Sequence, residues 1–121
     1  MALEPESAPA YAGLAEAYWR QYRRDKVPDL LTWAMTTIEE AIRLDPHLTA
    51  AQVTRGFIRL AAGEKDVART DFEEVLELDP ANATAHLGLG NYHRGEGNVD
   101  AAERAYRRAA GSWLVEWPQS G

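Results

Sequence analysis

Apolar residues recur along most of the chain at intervals of three and four, the spacing that gathers side chains on one face of an α-helix. Ala34, Ile38 and Ala41 form one such stripe at i, i+4 and i+7, and it returns as Ala68, Phe72, Val75 and again as Ala102, Tyr106, Ala109. A small, large, small stripe lets two helices approach at the small residues while the large one fills the space between them. Another stripe, Val53, Phe57, Leu60 and Ala61, follows the same period in an earlier helix of the middle unit. Gly63 and Gly97 fall where such a helix must stop and the chain reverse, a point that favours positive φ. Pro46 and Pro80 end one helix and set up the next. The pattern predicts helices over about 8–24, 28–44, 48–62, 65–78, 82–95 and 99–110, folded as successive hairpins.

These hairpins repeat at an offset of 34 residues: Leu44-Asp45-Pro46 returns as Leu78-Asp79-Pro80. The same step aligns Ala51 with Ala85, Gly56 with Gly90, Gly63 with Gly97 and Asp66 with Asp100. In the first unit Leu14, Ala15 and Tyr18 correspond to Leu89, Gly90 and His93, but Ala15 precedes Ala34 by 19 residues where the later units have 12. Seven residues are inserted, around 23–29, with Pro28 in the first turn of the second helix. The hairpin turn or its flanking helices should therefore be about two turns longer. The chain reads as one domain: a first repeat over about 8–46, a second over 47–80, a third over 81–112, and a tail, 113–121.

With these residues in view, the chain resembles the tetratricopeptide repeat (TPR) family, whose 34-residue unit has a Gly in its first helix, an Ala and an aromatic in its second, and a closing Pro. Residues 47–80 and 81 to about 112 match, and 8–46 match with the insertion. The resemblance implies an all-α, right-handed superhelical stack of antiparallel helix pairs, with a short C-terminal capping segment and an inner wall lined by the first helices. It implies a protein–protein interaction module that binds a peptide or partner protein. In the family's register the wall receives Ala50, Val53, Phe57, Leu60 and Ala61, then Thr84, Leu87, Asn91 and Arg94, and from the first unit Ala12, Glu16, Trp19 and Arg20. The expected binding set is Trp19, Val53, Phe57, Leu60, Leu87, Asn91 and Arg94, with Phe57 the central anchor and Asn91 bonding a peptide backbone. A register displaced by one face would instead pack the stripe inside the protein. Some family members grip a peptide's terminal carboxylates with Lys, Arg and Asn; here Val53, Phe57, Leu60 and Leu87 stand where that clamp needs polar groups, so an apolar anchor is expected.

Arg55 and Arg59 occupy positions where the third unit has Leu89 and His93. Their heads should reach carboxylates such as Glu39, Glu40, Asp71 or Glu74, the alternative being a site for an anion or a partner's carboxylate.

Charge and composition narrow the functional classes. With 45% hydrophobic and 26% charged residues the chain should fold, and its net charge of -6 disfavours a nucleic-acid role. Without cysteine there is no disulfide or thiolate metal site. Met1 to Pro9 lacks the basic start and apolar run of a signal peptide, and no stretch approaches the ~18 apolar residues of a membrane helix, so a cytoplasmic location is expected. His86 and His93 stand about 10 Å apart along one helix, too far to share a metal. The acidic residues Asp71, Glu73, Glu74, Glu77 and Asp79 read as a solvated face. No phosphate loop or nucleophile elbow is present, and Gly88-Leu89-Gly90 lies within a helix, so neither catalysis nor a cofactor is expected.

After Ala110 the repeat pattern breaks. Trp113, Leu114, Val115 and Trp117 suit a capping lid, a docking patch or a truncated further repeat. Trp113, Leu114 and Trp117 define the alternative function, a self-assembly or scaffold element forming a homo-oligomer. Ala12-Gly13-Leu14-Ala15 and Tyr106-Arg107-Arg108-Ala109 weakly resemble TPR regions of bacterial signalling proteins, implying as a further alternative a regulatory segment of a larger signalling enzyme.

Overall fold

The computed structural model describes residues 7–111. Its elements are α1 (Ala8–Asp25), α2 (Pro28–Leu44), α3 (Thr49–Ala61), α4 (Lys65–Leu78), α5 (Ala83–Gly95) and α6 (Val99–Ala110), with no strand among the described residues. Every boundary lies within one residue of the span read from the pattern.

Local chemistry accounts for the starts and stops. The Ser7 hydroxyl accepts the Ala10 N–H, and the side chains of Asn82 and Asn98 accept those of Ala85 and Ala101, each satisfying an orphan donor of a helix first turn. Gly63 and Gly97 take φ of +84° and +79° in the turns closing the second and third hairpins. The first hairpin closes on Lys26, at φ 56°, a conformation that costs a side-chain-bearing residue about 1 kcal/mol. The inserted residues are absorbed by the helices and not by the turn: α1 has 18 residues and α2 has 17, against 13 and 14 in the following pair.

Helices pair as α1·α2, α3·α4 and α5·α6, and neighbouring pairs meet through α2·α3 and α4·α5. The odd helices also touch one another, α1 to α3 and α3 to α5, while the even helices do not. Packing that is closer on one layer than the other curves the stack, so α1, α3 and α5 form its concave wall. This is an all-α solenoid of the kind the repeat pattern implies.

The repeated stripe forms the core between layers. Ala34, Ile38, Ala41, Ala68, Phe72 and Val75 are fully buried. Phe72 is wedged between two helices: a Cβ added at Gly56 would lie 2.6 Å from its ring, and one at Gly88, in the next hairpin, would collide with it as well. Gly90 stands in the same relation to Tyr106, at 2.5 Å. The first hairpin, whose stripe carries the aliphatic Ile38, tolerates Ala15 at the corresponding position. A glycine faces each aromatic ring because the ring occupies the volume of a Cβ.

Asp71 is the one acidic residue buried among those described, at 1% exposure, which corrects its assignment to a solvated face. It accepts two hydrogen bonds from Arg55, at 3.2 and 2.7 Å, and a third from Arg59 at 3.0 Å. Among the four carboxylates that the sequence offered these arginines, Asp71 takes both, because α4 turns it inward beside Phe72 while Glu73 and Glu74 face solvent. Both guanidinium groups are thus engaged by one internal carboxylate, the kind of partner the sequence reading expected for them.

Two stability changes follow. Gly88→Ala should lower the urea-unfolding free energy by about 1–3 kcal/mol through overpacking against Phe72, whereas Gly13→Ala, in open space on α1, should raise it by up to about 1 kcal/mol. Asp71→Ala should cost about 2–3 kcal/mol by leaving two half-buried guanidinium groups unpaired, as read from the same unfolding curves.

Candidate functional site

The concave wall carries a groove of about 670 Å³ running across α1, α3 and α5. All seven residues of the expected binding set line it: Trp19 from α1; Val53, Phe57 and Leu60 from α3; and Leu87, Asn91 and Arg94 from α5. Glu16, Arg20, Ala61 and Thr84 line it too. Ala12 does not, being packed in the core of the first hairpin, and Ala50 is exposed elsewhere.

Depth divides these residues into floor and surface. Phe57 is 8% exposed and Val53 is 4% exposed. The Phe57 ring lies between Trp19, at 5.2 Å between centroids, and Phe72, at 5.1 Å edge-on. The expectation of Phe57 as an uncovered central anchor is therefore corrected: Trp19 covers it, and it ties the groove floor to the core. The apolar surface a guest can reach belongs to Leu60, half-buried, and Leu87, 42% exposed, beside the partly exposed Trp19. The Trp19 indole N–H is buried and has no acceptor among the described residues.

Asn91 is also more constrained than the sequence suggests. Its carboxamide oxygen accepts the Tyr106 hydroxyl at 2.6 Å, which orients the amide and leaves its NH2 without a partner among the described residues. Arg94 makes no ion pair there and also borders a recess of about 390 Å³ on α6 with Val99, Ala102 and Tyr106.

Further lining residues escaped the sequence reading: Tyr22, Arg23, Lys26, Thr54, Lys65, Tyr92 and Gly95. Three of them, Tyr22, Arg23 and Lys26, come from the lengthened end of α1 and its cap, where the family's register could not be carried across the insertion. The helical period would have found Arg23, one turn beyond Trp19 and two beyond Glu16. Its guanidinium lies 5.0 Å from the Trp19 ring, and the Lys26 ammonium lies 5.4 Å from that of Tyr22. Arg20 bonds Glu16 at 2.7 Å, and Lys65 bonds Glu96 at 3.1 Å.

The two histidines of α5 have structural partners. His86 is buried with Nε2 2.8 Å from the Pro80 carbonyl, and the His93 ring meets Tyr92 edge-on. No group of three or more metal-ligating side chains occurs among the described residues, and no helix there is long and apolar enough to cross a membrane. Trp113, Leu114 and Trp117, on which self-association would depend, lie outside the described residues.

Stacked helix pairs with a lined concave wall define a helical-repeat protein. The family model for the tetratricopeptide repeat matches residues 54–120, and the chain belongs to that family. Among solved structures, a thermophilic TPR protein of Thermus thermophilus is similar with a TM-score of 0.79 at 23% identity, over 94% of this chain and 59% of that one. MamA is similar with a TM-score of 0.67 at 25% identity, over 89% of this chain and 59% of that one. The chain thus spans about three-fifths of the length of either structure. No curated protein matches it. The fold is one of protein–protein interaction and scaffold modules.

The division into floor and surface predicts opposite results for two substitutions. Phe57→Asp should abolish cooperative thermal unfolding, because the carboxylate would be buried between Trp19 and Phe72 with no partner. Leu87→Asp, on the exposed lip, should change stability by no more than about 0.5 kcal/mol in the same circular-dichroism melt.

Proposed function

We propose that this protein is a peptide- or protein-binding module whose partner segment lies in the groove of α1, α3 and α5. The observation that carries this reading is the pairing of reachable apolar side chains, Leu60 and Leu87, with a rigid floor of Val53, Phe57 and Trp19. An apolar side chain of the partner gains the burial energy of the leucines without requiring the floor to reorganise, and pre-organisation of this kind raises affinity. The Asn91 NH2 supplies a donor to a partner carbonyl, held in place by the Tyr106 hydroxyl. The arrangement suits recognition of a segment by apolar contact and a backbone hydrogen bond.

The test is capture of partners from an extract of the source cell by the immobilised chain, compared with the double variant Leu60→Asp/Leu87→Asp. Leu87 lies on the exposed lip and Leu60 is half-buried against the core, so the double variant is checked first for a native helical spectrum. Folded, it should lower the affinity of captured partners at least about tenfold, as expected for loss of central apolar contacts. Equal capture by the folded double variant would reject the groove as the binding site.

A further inference from the structure

The groove's electrostatics narrow the partner further. Arg20, Arg23, Lys26, Lys65 and Arg94 line it against a single carboxylate, Glu16, in a chain with 19 acidic and 13 basic residues. Cations are thus concentrated on the concave face of an acidic protein. They also differ in how they are held. Arg20 and Lys65 are paired with Glu16 and Glu96. Arg23 and Lys26 make no ion pair among the described residues and lie against the rings of Trp19 and Tyr22, contacts that fix their position while leaving their charge in place. Arg94 is likewise unpaired there.

These three cations share one rim. Arg23 is in the last turn of α1, Lys26 is its cap, and Arg94 is in the last turn of α5, with the α3 end carrying Leu60 between them. Helix dipoles favour cations at such ends, but each terminus carries only about half a charge, so the rim remains positive.

We propose that the groove selects a partner segment that combines an apolar anchor, seated on Leu60 and Leu87, with acidic side chains that meet Arg23, Lys26 and Arg94 along the rim. This rests on the groove reading above and adds the chemistry of the partner. Single-stranded nucleic acid is the other polyanion such a rim could meet. It fits less well, because base stacking needs open ring faces. Here Phe57 and Tyr92 are buried, Arg23 and Lys26 lie against the rings of Trp19 and Tyr22, and the reachable apolar surface is largely aliphatic.

The experiment pans a random dodecapeptide display library against the whole 121-residue chain and measures the enriched peptides by fluorescence anisotropy. The enriched peptides should be net acidic and carry a large apolar residue. Replacing their Asp and Glu by Asn and Gln should weaken binding roughly tenfold, and added salt should weaken only the acidic forms. The variant Arg23→Glu/Lys26→Glu/Arg94→Glu, checked for an unchanged helical spectrum, should lose the acidic peptides by a similar factor, and Leu60→Asp/Leu87→Asp should lose both acidic and neutralised forms. Enrichment of neutral or basic peptides that need the leucines but ignore the charge reversal would overturn the acidic preference and leave the groove reading standing. Enrichment of no peptide dependent on Leu60 and Leu87 would overturn both. An oligothymidylate probe that binds the native chain and not the charge-reversed one, with no acidic peptide bound, would assign the rim to nucleic acid and overturn the proposal.

Discussion

The contact between the Phe72 ring and the two glycines that face it sets the geometry of everything around it. Gly56 belongs to the same hairpin and Gly88 to the next, so one side chain fixes both the closure of a hairpin and its spacing from its neighbour. Interiors packed to crystal-like density leave no slack for a Cβ at such a point. With α3, α4 and α5 held at that distance, the rotation of α3 and α5 about their axes is settled, and so is the set of side chains they turn toward the concave wall. The groove is in this sense a product of the packing layer behind it.

The Asp71 cluster works beside Phe72 in a different way. A well-packed apolar trio in place of Arg55, Arg59 and Asp71 would often be as stable, because desolvating charge offsets much of the attraction. What the ion cluster adds is direction: the Arg55 fork grips both carboxylate oxygens, and Arg59 approaches one of them from a turn away. Sliding α3 against α4 would leave a charge buried without a partner, so the cluster penalises misregister within the middle hairpin more sharply than apolar packing does.

The helices and their ends were legible in the sequence because their causes are local: apolar period, glycines in turns, proline at a helix start. The family register carried seven groove residues to one wall for a related reason, since a 34-residue period preserves which face of each helix looks inward. Depth was not legible. Whether Phe57 is an anchor or a floor depends on Trp19 crossing over it from α1, a contact between residues 38 positions apart that no local pattern encodes. Asp71 misled for a similar reason: its neighbours Glu73 and Glu74 face water, and only the position of α3 shows that Asp71 does not. Of the cationic rim only Arg94 was in the family's register; the insertion moved Arg23 and Lys26 outside any register that could be borrowed from the later repeats.

That insertion is also where this chain departs furthest from its own pattern, and its consequences converge on the groove. By lengthening α1, it carries the chain past the point where the second and third hairpins turn, which brings Tyr22, Arg23 and Lys26 to the groove rim. The same helix supplies Trp19, whose ring joins the groove to the core through Phe57 and Phe72 and at the same time holds Arg23. One side chain therefore couples three layers: the buried core, the apolar floor and the charged edge. A ring so placed cannot shift to suit a guest without loosening Phe57 from Phe72. On the groove reading proposed above, the floor is a fixed template, and adaptation to a partner falls to the solvent-facing side chains of Leu87 and Arg94, which no ring contact holds among the described residues.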